Sequence, residues 1–291
     1  MKSISTLFEN INYLTVRNTD DGFCFTDTTR LDKIEELLKE SPFYYVKKEA
    51  LFYAFSQIPF TELGDDTLIV SSHVDFKRET KECFSDTTGE KKIIGTYDNS
   101  ATNTAVVELM LHAELPKNTL VVFTGDEEED SGGAAGVAGF IKHLGIRAKC
   151  IVLDVTEEGY KSKAAFSIEN AYCDDTMLET IIRWMVKQNE NYLFVPAEEE
   201  QKQNKLIKHM LPKKCVSKEL AEPDESGDYS EHHIDSFSFC LPTKLMDPKG
   251  KFAPNSDSDE AMHSSKGLKI RKESIVGYTN ALCDIIKNMA K

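Results

Sequence analysis

Short apolar runs recur along the chain and predict the strands of a buried sheet. Three of them are continuous and bounded by polar residues, at 67–72, 119–124 and 149–153. Runs of this kind are typical of strands that are covered on both faces, as in parallel sheets. Two aromatic-rich runs, at 43–46 and 51–55, precede them. We expect these two runs to pair as a hairpin or as an edge pair of strands.

Apolar residues at helical spacing separate these runs. The sequence TRLD at 29–32 resembles a capping box and predicts the start of one helix. Further helices are predicted at 100–113 and 134–144, and two later ones from the apolar faces within 178–185 and 275–289. Alternation of strands and helices predicts an α/β fold of three layers, in which helices cover both faces of a mostly parallel sheet.

The composition is that of a globular protein and argues against several other classes. Of the 291 residues, 40% are hydrophobic and 29% are charged, and the formal net charge is −14. A negative field of this size repels nucleic acid and anionic lipid, so we expect neither as a partner. No apolar run approaches the roughly 18 residues that a membrane helix needs. The N-terminal segment lacks the apolar stretch of a signal peptide, so we expect a cytoplasmic protein.

Acidic side chains and one histidine follow the predicted buried strands. His73 and Asp75 follow the first strand, residues 126–130 (DEEED) follow the second and Asp154 follows the third, while Asp98 lies in a loop before a predicted helix. In open α/β sheets, ligands bind at the carboxyl ends of the strands. Taken singly, each piece could be a hydrogen-bonded pair, a solvated turn or a helix cap. Together they predict a metal site at one edge of the sheet.

Five stretches that carry these residues resemble the di-zinc exopeptidase family, which comprises aminopeptidases, carboxypeptidases and related amidohydrolases. They occur in the order of the family and cover the chain from about residue 68 to its end. The DVT after the third strand is similar to the cytosolic aminopeptidase branch. The stretches are LIVSSHVD (68–75), GTYDNSATNTA (95–105), VVFTGDEEEDSGGA (121–134), CIVLDVT (150–156) and MHS (262–264).

The resemblance implies a ligand set for two divalent metal ions. His73 and Asp154 correspond to ligands of one ion, and Glu128 and His263 to ligands of the other. Asp98 corresponds to the carboxylate that bridges the two ions. We expect zinc in both positions, with cobalt or manganese as alternatives, because all three accept histidine and carboxylate ligands.

Two further residues take roles beside the metals through the same resemblance. Glu127 corresponds to the general base, which takes a proton from water and passes it to the leaving amine. Asp75 corresponds to the carboxylate that contacts the second ring nitrogen of His73 and fixes its tautomer. The peptide between Asp98 and Asn99 matches a bond that is cis in the family.

The run of three glutamates leaves the register of base and ligand open. The spacing from Asp-Glu-Glu to Gly-Gly-Ala favours Glu127 as base and Glu128 as ligand. The alternative pairs Glu128 as base with Glu129 as ligand. Asp130 stands where the family often has glycine, which could reshape the turn.

The chain is expected to form one catalytic domain over residues 1–291. Residues 189–230 are polar and rich in charge, so we expect a surface excursion near the site and no second folded domain. No insertion is large enough for the separate dimerisation or lid domain of many relatives, and the oligomeric state stays open. His232 and His233 lie in the stretch where relatives place residues of the substrate pocket, which makes them candidates for substrate binding.

The expected activity is metal-dependent hydrolysis of peptide or small amide bonds, by an aminopeptidase acting on N-terminal residues. A carboxypeptidase or an N-acyl-amino-acid amidohydrolase is the nearest alternative, since both would use the same metals and base. Recognition of a free amine needs a carboxylate, whereas a free carboxylate needs arginine or lysine. Arginines are few after the metal motifs, which favours the amine. A binding protein that has kept the fold without catalysis is the alternative of another class.

Overall fold

The computed structural model describes residues 4–16, 28–48, 51–75, 83–128, 132–189, 191–246 and 267–290. None of the helices in these ranges is long and apolar enough to cross a membrane. The helices are α1 (Ile4–Thr15), α2 (Thr28–Leu38), α3 (Ser100–Leu111), α4 (Gly132–Leu144), α5 (Asp175–Met185), α6 (Glu199–Gln203), α7 (Lys205–Met210), α8 (Glu225–Glu231) and α9 (Lys272–Met289). The strands are β1 (Tyr44–Lys48), β2 (Phe52–Ser56), β3 (Thr67–His73), β4 (Ser85–Asp86), β5 (Lys92–Gly95), β6 (Thr119–Thr124), β7 (Ala148–Thr156), β8 (Phe166–Tyr172), β9 (Tyr192–Val195), β10 (Asp235–Pro242), β11 (Lys244–Leu245) and β12 (Leu268–Arg271).

An eight-stranded main sheet forms the centre of the fold, in the order β1-β2-β6-β3-β7-β10-β8-β9. The four middle strands β6, β3, β7 and β10 run parallel to one another. On one side β1 and β2 form an antiparallel pair, and on the other side β8 and β9 run opposite to β10. The middle strands therefore end at one edge of the main sheet, here called the carboxyl edge, where ligands bind in sheets of this kind.

Alternate side chains of the middle strands pack on opposite faces of the main sheet. Ile69 and Val152 pack on the face covered by α4 and α8. Their neighbours Val70 and Ile151 pack on the other face, in a cluster with residues of α1, α2, α3, α5 and α9. Because apolar helices cover both faces, each middle strand is apolar on both sides and appears in the sequence as a continuous run. The expected three-layer α/β fold is confirmed.

A second sheet of four strands, in the order β11-β12-β5-β4, is antiparallel throughout. Its strand β5 leads into the loop that carries Asp98. Tyr97 in this loop is fully buried and its hydroxyl donates a hydrogen bond to the carbonyl of Ile94 at 2.9 Å. The second sheet thus supports the segment that delivers Asp98 to the site.

The segment 189–230 differs from the expected polar excursion. It contributes β9 to the main sheet and contains the short helices α6, α7 and α8. Two of its polar residues cap helices, since Asn204 accepts from backbone N–H groups at the start of α7 and Asp224 accepts from one at the start of α8. The four apolar residues of β9 are buried. Polar composition therefore concealed secondary structure in this segment.

Candidate metal and active site

His73, Asp98 and Asp154 come together at the carboxyl edge. The parallel register pairs Ser72 of β3 with Leu153 of β7, so the next residues of the two strands emerge side by side. His73 Nε2 lies 3.1 Å from Asp98 Oδ1 and 3.8 Å from Asp154 Oδ1. One donor atom from each of the three residues lies within 4.8 Å of the others, an arrangement that could hold one metal ion.

Hydrogen bonds to neighbouring strands hold the loop that carries Asp98. The peptide between Asp98 and Asn99 is cis, as the resemblance implies. Asn99 Nδ2 donates to the carbonyl of Leu153 at 2.6 Å. Asn103 Nδ2, in the first turn of α3, donates to the carbonyl of His73 at 3.0 Å. These bonds tie the loop to β3 and β7, the two strands that carry the other donors.

Glu127 and Glu128 reach the same cluster from the turn after β6. Asp126 adopts a left-handed φ of 66° in this turn. Glu127 Oε2 lies 3.8 Å from His73 Nε2, and donor atoms of His73, Glu127 and Glu128 form a second group within 4.8 Å of one another. Both glutamates thus lie beside His73, whereas Glu129 lies outside the described residues.

Asp75 contacts His73 on the opposite side of the ring. Its Oδ1 lies 3.4 Å from His73 Nδ1, and its Oδ2 accepts a hydrogen bond from the backbone N–H of Glu128 at 3.1 Å. The Asp75 side chain is completely buried. It therefore contacts both the imidazole ring and the turn that carries the two glutamates.

The carboxylates of this cluster lie close enough to shift one another's pKa. Burial, with the nearby charge of Asp98, raises the pKa of Asp154 to about 7. Burial, with the carboxylates of Asp154 and Glu128, raises the pKa of Glu127 well above its usual range. Burial favours the neutral ring of His73, but the surrounding carboxylates outweigh it and raise the pKa of His73 well above its usual value. A divalent cation would relieve the repulsion between the carboxylates, and imidazole with carboxylate oxygens is a donor set that fits zinc, cobalt or manganese.

A cavity of about 560 Å³ opens at the cluster. Six further acidic residues line it, none of which the sequence analysis identified. Of these, Glu169 could have been identified from the sequence, because a charged residue is unusual within a strand-like run such as FSIENAY at 166–172. Among the described residues, neither lysine nor arginine lines the cavity. The six residues are Glu157, Glu158, Glu169, Glu219, Glu222 and Asp224.

The two histidines considered for substrate binding lie away from the cavity. His232 is the C-cap of α8, His233 follows it, and both are exposed. They immediately precede β10, which runs parallel to β7 and β3, so they lie near the edge opposite the metal cluster. The expectation for these two residues is corrected, because only the start of α8, through its N-cap Asp224, reaches the cavity. His263 lies outside the described residues.

Solved structures of peptidases share this fold. A TET aminopeptidase from a thaumarchaeon of marine sediment aligns with 97% of each chain covered, a TM-score of 0.63 and 10% sequence identity. Aminopeptidase PepT from Bacillus cereus aligns with 99% of each chain covered, a TM-score of 0.59 and 10% identity. A Thermotoga maritima protein named an endoglucanase aligns over 96% of this chain and 98% of its own, with a TM-score of 0.58 and 9% identity.

No family model and no curated protein sequence matches the chain. The likeness therefore lies in the course of the backbone, which is similar along almost the whole length of these proteins. The chain has the α/β fold of these solved aminopeptidases.

Proposed function

We propose that this chain is a metal-dependent aminopeptidase that removes N-terminal residues from peptides. The observation that carries the proposal is the convergence of His73, Asp98 and Asp154 at the carboxyl edge, with Glu127 beside them. A protein that had kept only the fold for binding would need neither three metal donors nor an adjacent carboxylate. The shared fold of the solved aminopeptidases supports the same assignment.

Two divalent ions, with zinc as the expected metal, fit the donors. His73 and Asp154 would hold one ion, Glu128 and His263 the other, and Asp98 would lie between them. The short distances within both donor groups support these roles for the described residues. When bound, such ions lower the pKa of water and polarise the scissile carbonyl.

Glu127 is the proposed general base. Its side chain is 19% exposed and lines the cavity, so it can reach a water molecule and a substrate. Its raised pKa suits a carboxyl that accepts a proton from water and donates it to the leaving amine near neutral pH. Asp75 would orient the His73 ring through the contact at Nδ1.

The walls of the cavity favour a free amine over a free carboxylate as the recognised end of the substrate. A carboxypeptidase or an N-acyl-amino-acid amidohydrolase would need a cationic partner for the substrate carboxylate. Among the described residues that line the cavity, acidic side chains are abundant and lysine and arginine are absent. An N-terminal ammonium group would be stabilised by these charges, whereas a C-terminal carboxylate would be repelled.

The test is a panel of aminoacyl anilides, N-acyl amino acids and a soluble cellulose derivative, offered to the protein after loading with zinc, cobalt or manganese. We expect turnover of the anilides alone. Preferred cleavage of N-acyl amino acids would favour the amidohydrolase alternative. The cellulose derivative is included because one protein of this fold carries the name endoglucanase.

Two matched variants separate the roles of base and ligand. Glu127→Gln should keep the bound metal and lose about 10²–10⁴-fold in kcat, because it removes only the proton acceptor. Glu128→Gln should lose metal and recover part of its activity in excess metal, because it removes a charged ligand. Loss of metal in Glu127→Gln with retention in Glu128→Gln would contradict the assigned register. An unchanged kcat in Glu127→Gln would exclude it as the base.

A further inference from the structure

One of the six further acidic residues of the cavity is buried. Glu169 is 6% exposed, yet its side chain lines the cavity. One of its carboxyl oxygens accepts a hydrogen bond from Ser167 Oγ. Among the described residues no cationic side chain forms an ion pair with it, and burial, with the charges of Asp224 and Glu158, raises its pKa to about 8. A buried carboxyl without a cation beside it destabilises a protein, and a ligand that supplies a cation would remove that penalty.

The register of the main sheet sets the distance between Glu169 and the metal cluster. Asp154 of β7 pairs with Cys240 of β10, and Cys240 pairs on its other side with Ser167 of β8. Glu169 follows Ser167 by two residues, so both side chains emerge on one face of the sheet. Two strand spacings of about 4.8 Å across the sheet and the two-residue step along β8 together place the Cα of Glu169 roughly 12 Å from the Cα of Asp154, across the floor that Cys240 forms.

This distance matches the reach of a long cationic side chain. With the amine and scissile bond of a substrate at the metal cluster, the four-carbon stem of lysine extends roughly 6 Å beyond its Cα. The Glu169 side chain covers roughly 4 Å of the remaining distance, which brings its carboxylate within reach of the terminal ammonium. Leu220, Pro223 and Leu245 also line the cavity and offer apolar surface to the methylene groups. Leu220 is 40% exposed, so it retains apolar surface for such a contact.

Hydrogen bonds hold the segment that carries Leu220 and Pro223. The backbone N–H of Ser217 donates to the carbonyl of Phe194 at 2.8 Å, and that of Ala221 donates to the carbonyl of Pro196 at 2.9 Å. The side chain of Asn170, next to Glu169 in β8, donates to a backbone carbonyl of the same segment at 2.6 Å. The pocket is therefore built before any substrate enters it, which lowers the entropic cost of binding.

We propose that this cavity receives the side chain of the N-terminal residue of the substrate and selects lysine or arginine, with Glu169 as the partner of the cationic end. The proposal rests on the aminopeptidase assignment for the position of the substrate amine. Glu169 determines which side chain the cavity accepts and takes no part in proton transfer.

Binding of two non-hydrolysable amino alcohols tests the pocket without turnover. L-lysinol and L-norleucinol have side chains of nearly equal length and differ in the terminal ammonium. Calorimetric titration of the zinc-loaded wild type should show L-lysinol binding about 10- to 100-fold more tightly, as expected for a charge-assisted hydrogen bond. Glu169→Gln should abolish this preference and leave the affinity for L-norleucinol unchanged. Glu222→Gln, which removes an exposed carboxylate of the same cavity, is the matched control and should keep the preference.

A kinetic comparison of lysyl and norleucyl anilides should show the same preference in kcat/KM, and Glu169→Asp should retain part of it because the charge remains. Equal affinities of the two alcohols in the wild type would overturn the proposal. So would an equal loss of both affinities in Glu169→Gln, since that result would assign Glu169 to the substrate amine. A wild type that cleaves no anilide but binds L-lysinol through Glu169 would refute the aminopeptidase assignment and leave the pocket in place.

Discussion

Replacing Glu169 with glutamine should remove a stability penalty that grows with pH. Burial raises the pKa of this carboxyl from its ordinary value of 4.5 to about 8. At a pH between these two pKa values, the Glu169 carboxyl has lost its proton in the unfolded chain and retains it in the folded protein. The folded state then binds more protons, so its stability falls as the pH rises through this window and becomes constant above it. Glutamine has no such proton, and Glu169→Gln should not show this decline.

The size of the effect follows from the difference between the two pKa values. Each pH unit inside the window changes the free energy of unfolding by about 1.4 kcal/mol. From pH 6 to pH 8 the penalty grows by about 2 kcal/mol, which is less than two full steps because the slope decreases as the pH approaches the folded-state pKa.

Urea unfolding at pH 6, 7 and 8, followed by circular dichroism, measures this difference. The difference between the unfolding free energies of Glu169→Gln and the wild type should increase by about 2 kcal/mol in favour of the variant from pH 6 to pH 8. All other titrating groups are common to both proteins and cancel in the comparison. Glu222→Gln should run parallel to the wild type, because that carboxylate is exposed. Parallel curves for the wild type and Glu169→Gln would refute the raised pKa and the reasoning from burial.

Four other substitutions probe the site and the fold. Asp98→Asn should lower the metal content in both positions, as determined by elemental analysis after gel filtration, and two retained ions would contradict the bridging role. Gly133→Ala should destabilise the protein by about 1–3 kcal/mol in urea unfolding, because its new methyl group would collide with the carbonyl oxygen of Gly125. His232→Ala and His233→Ala should leave kcat/KM within about twofold, since both side chains are exposed near the opposite edge of the sheet.

Much of the fold was predictable because it depends on local patterns. A strand buried on both faces is mostly apolar on both sides, and the runs at 67–72 and 119–124 lie in β3 and β6. The residue that follows a parallel strand lies at the carboxyl edge wherever that strand sits in the sheet. His73 and Asp154 could therefore be expected at the same edge of the sheet from their own stretches alone.

The pocket beside the metal cluster depended on tertiary structure. β10 follows β7 and β8 in the chain, yet it lies between them in the main sheet. This insertion separates Asp154 from Glu169 by two strand spacings and sets the length of the side chain that the cavity can accept. Strand order arises from contacts between residues far apart in sequence, which a local pattern does not encode. The sequence by itself thus determined the candidate ligands and the edge where they gather, and only the folded sheet decided which carboxyl faces them across the cavity.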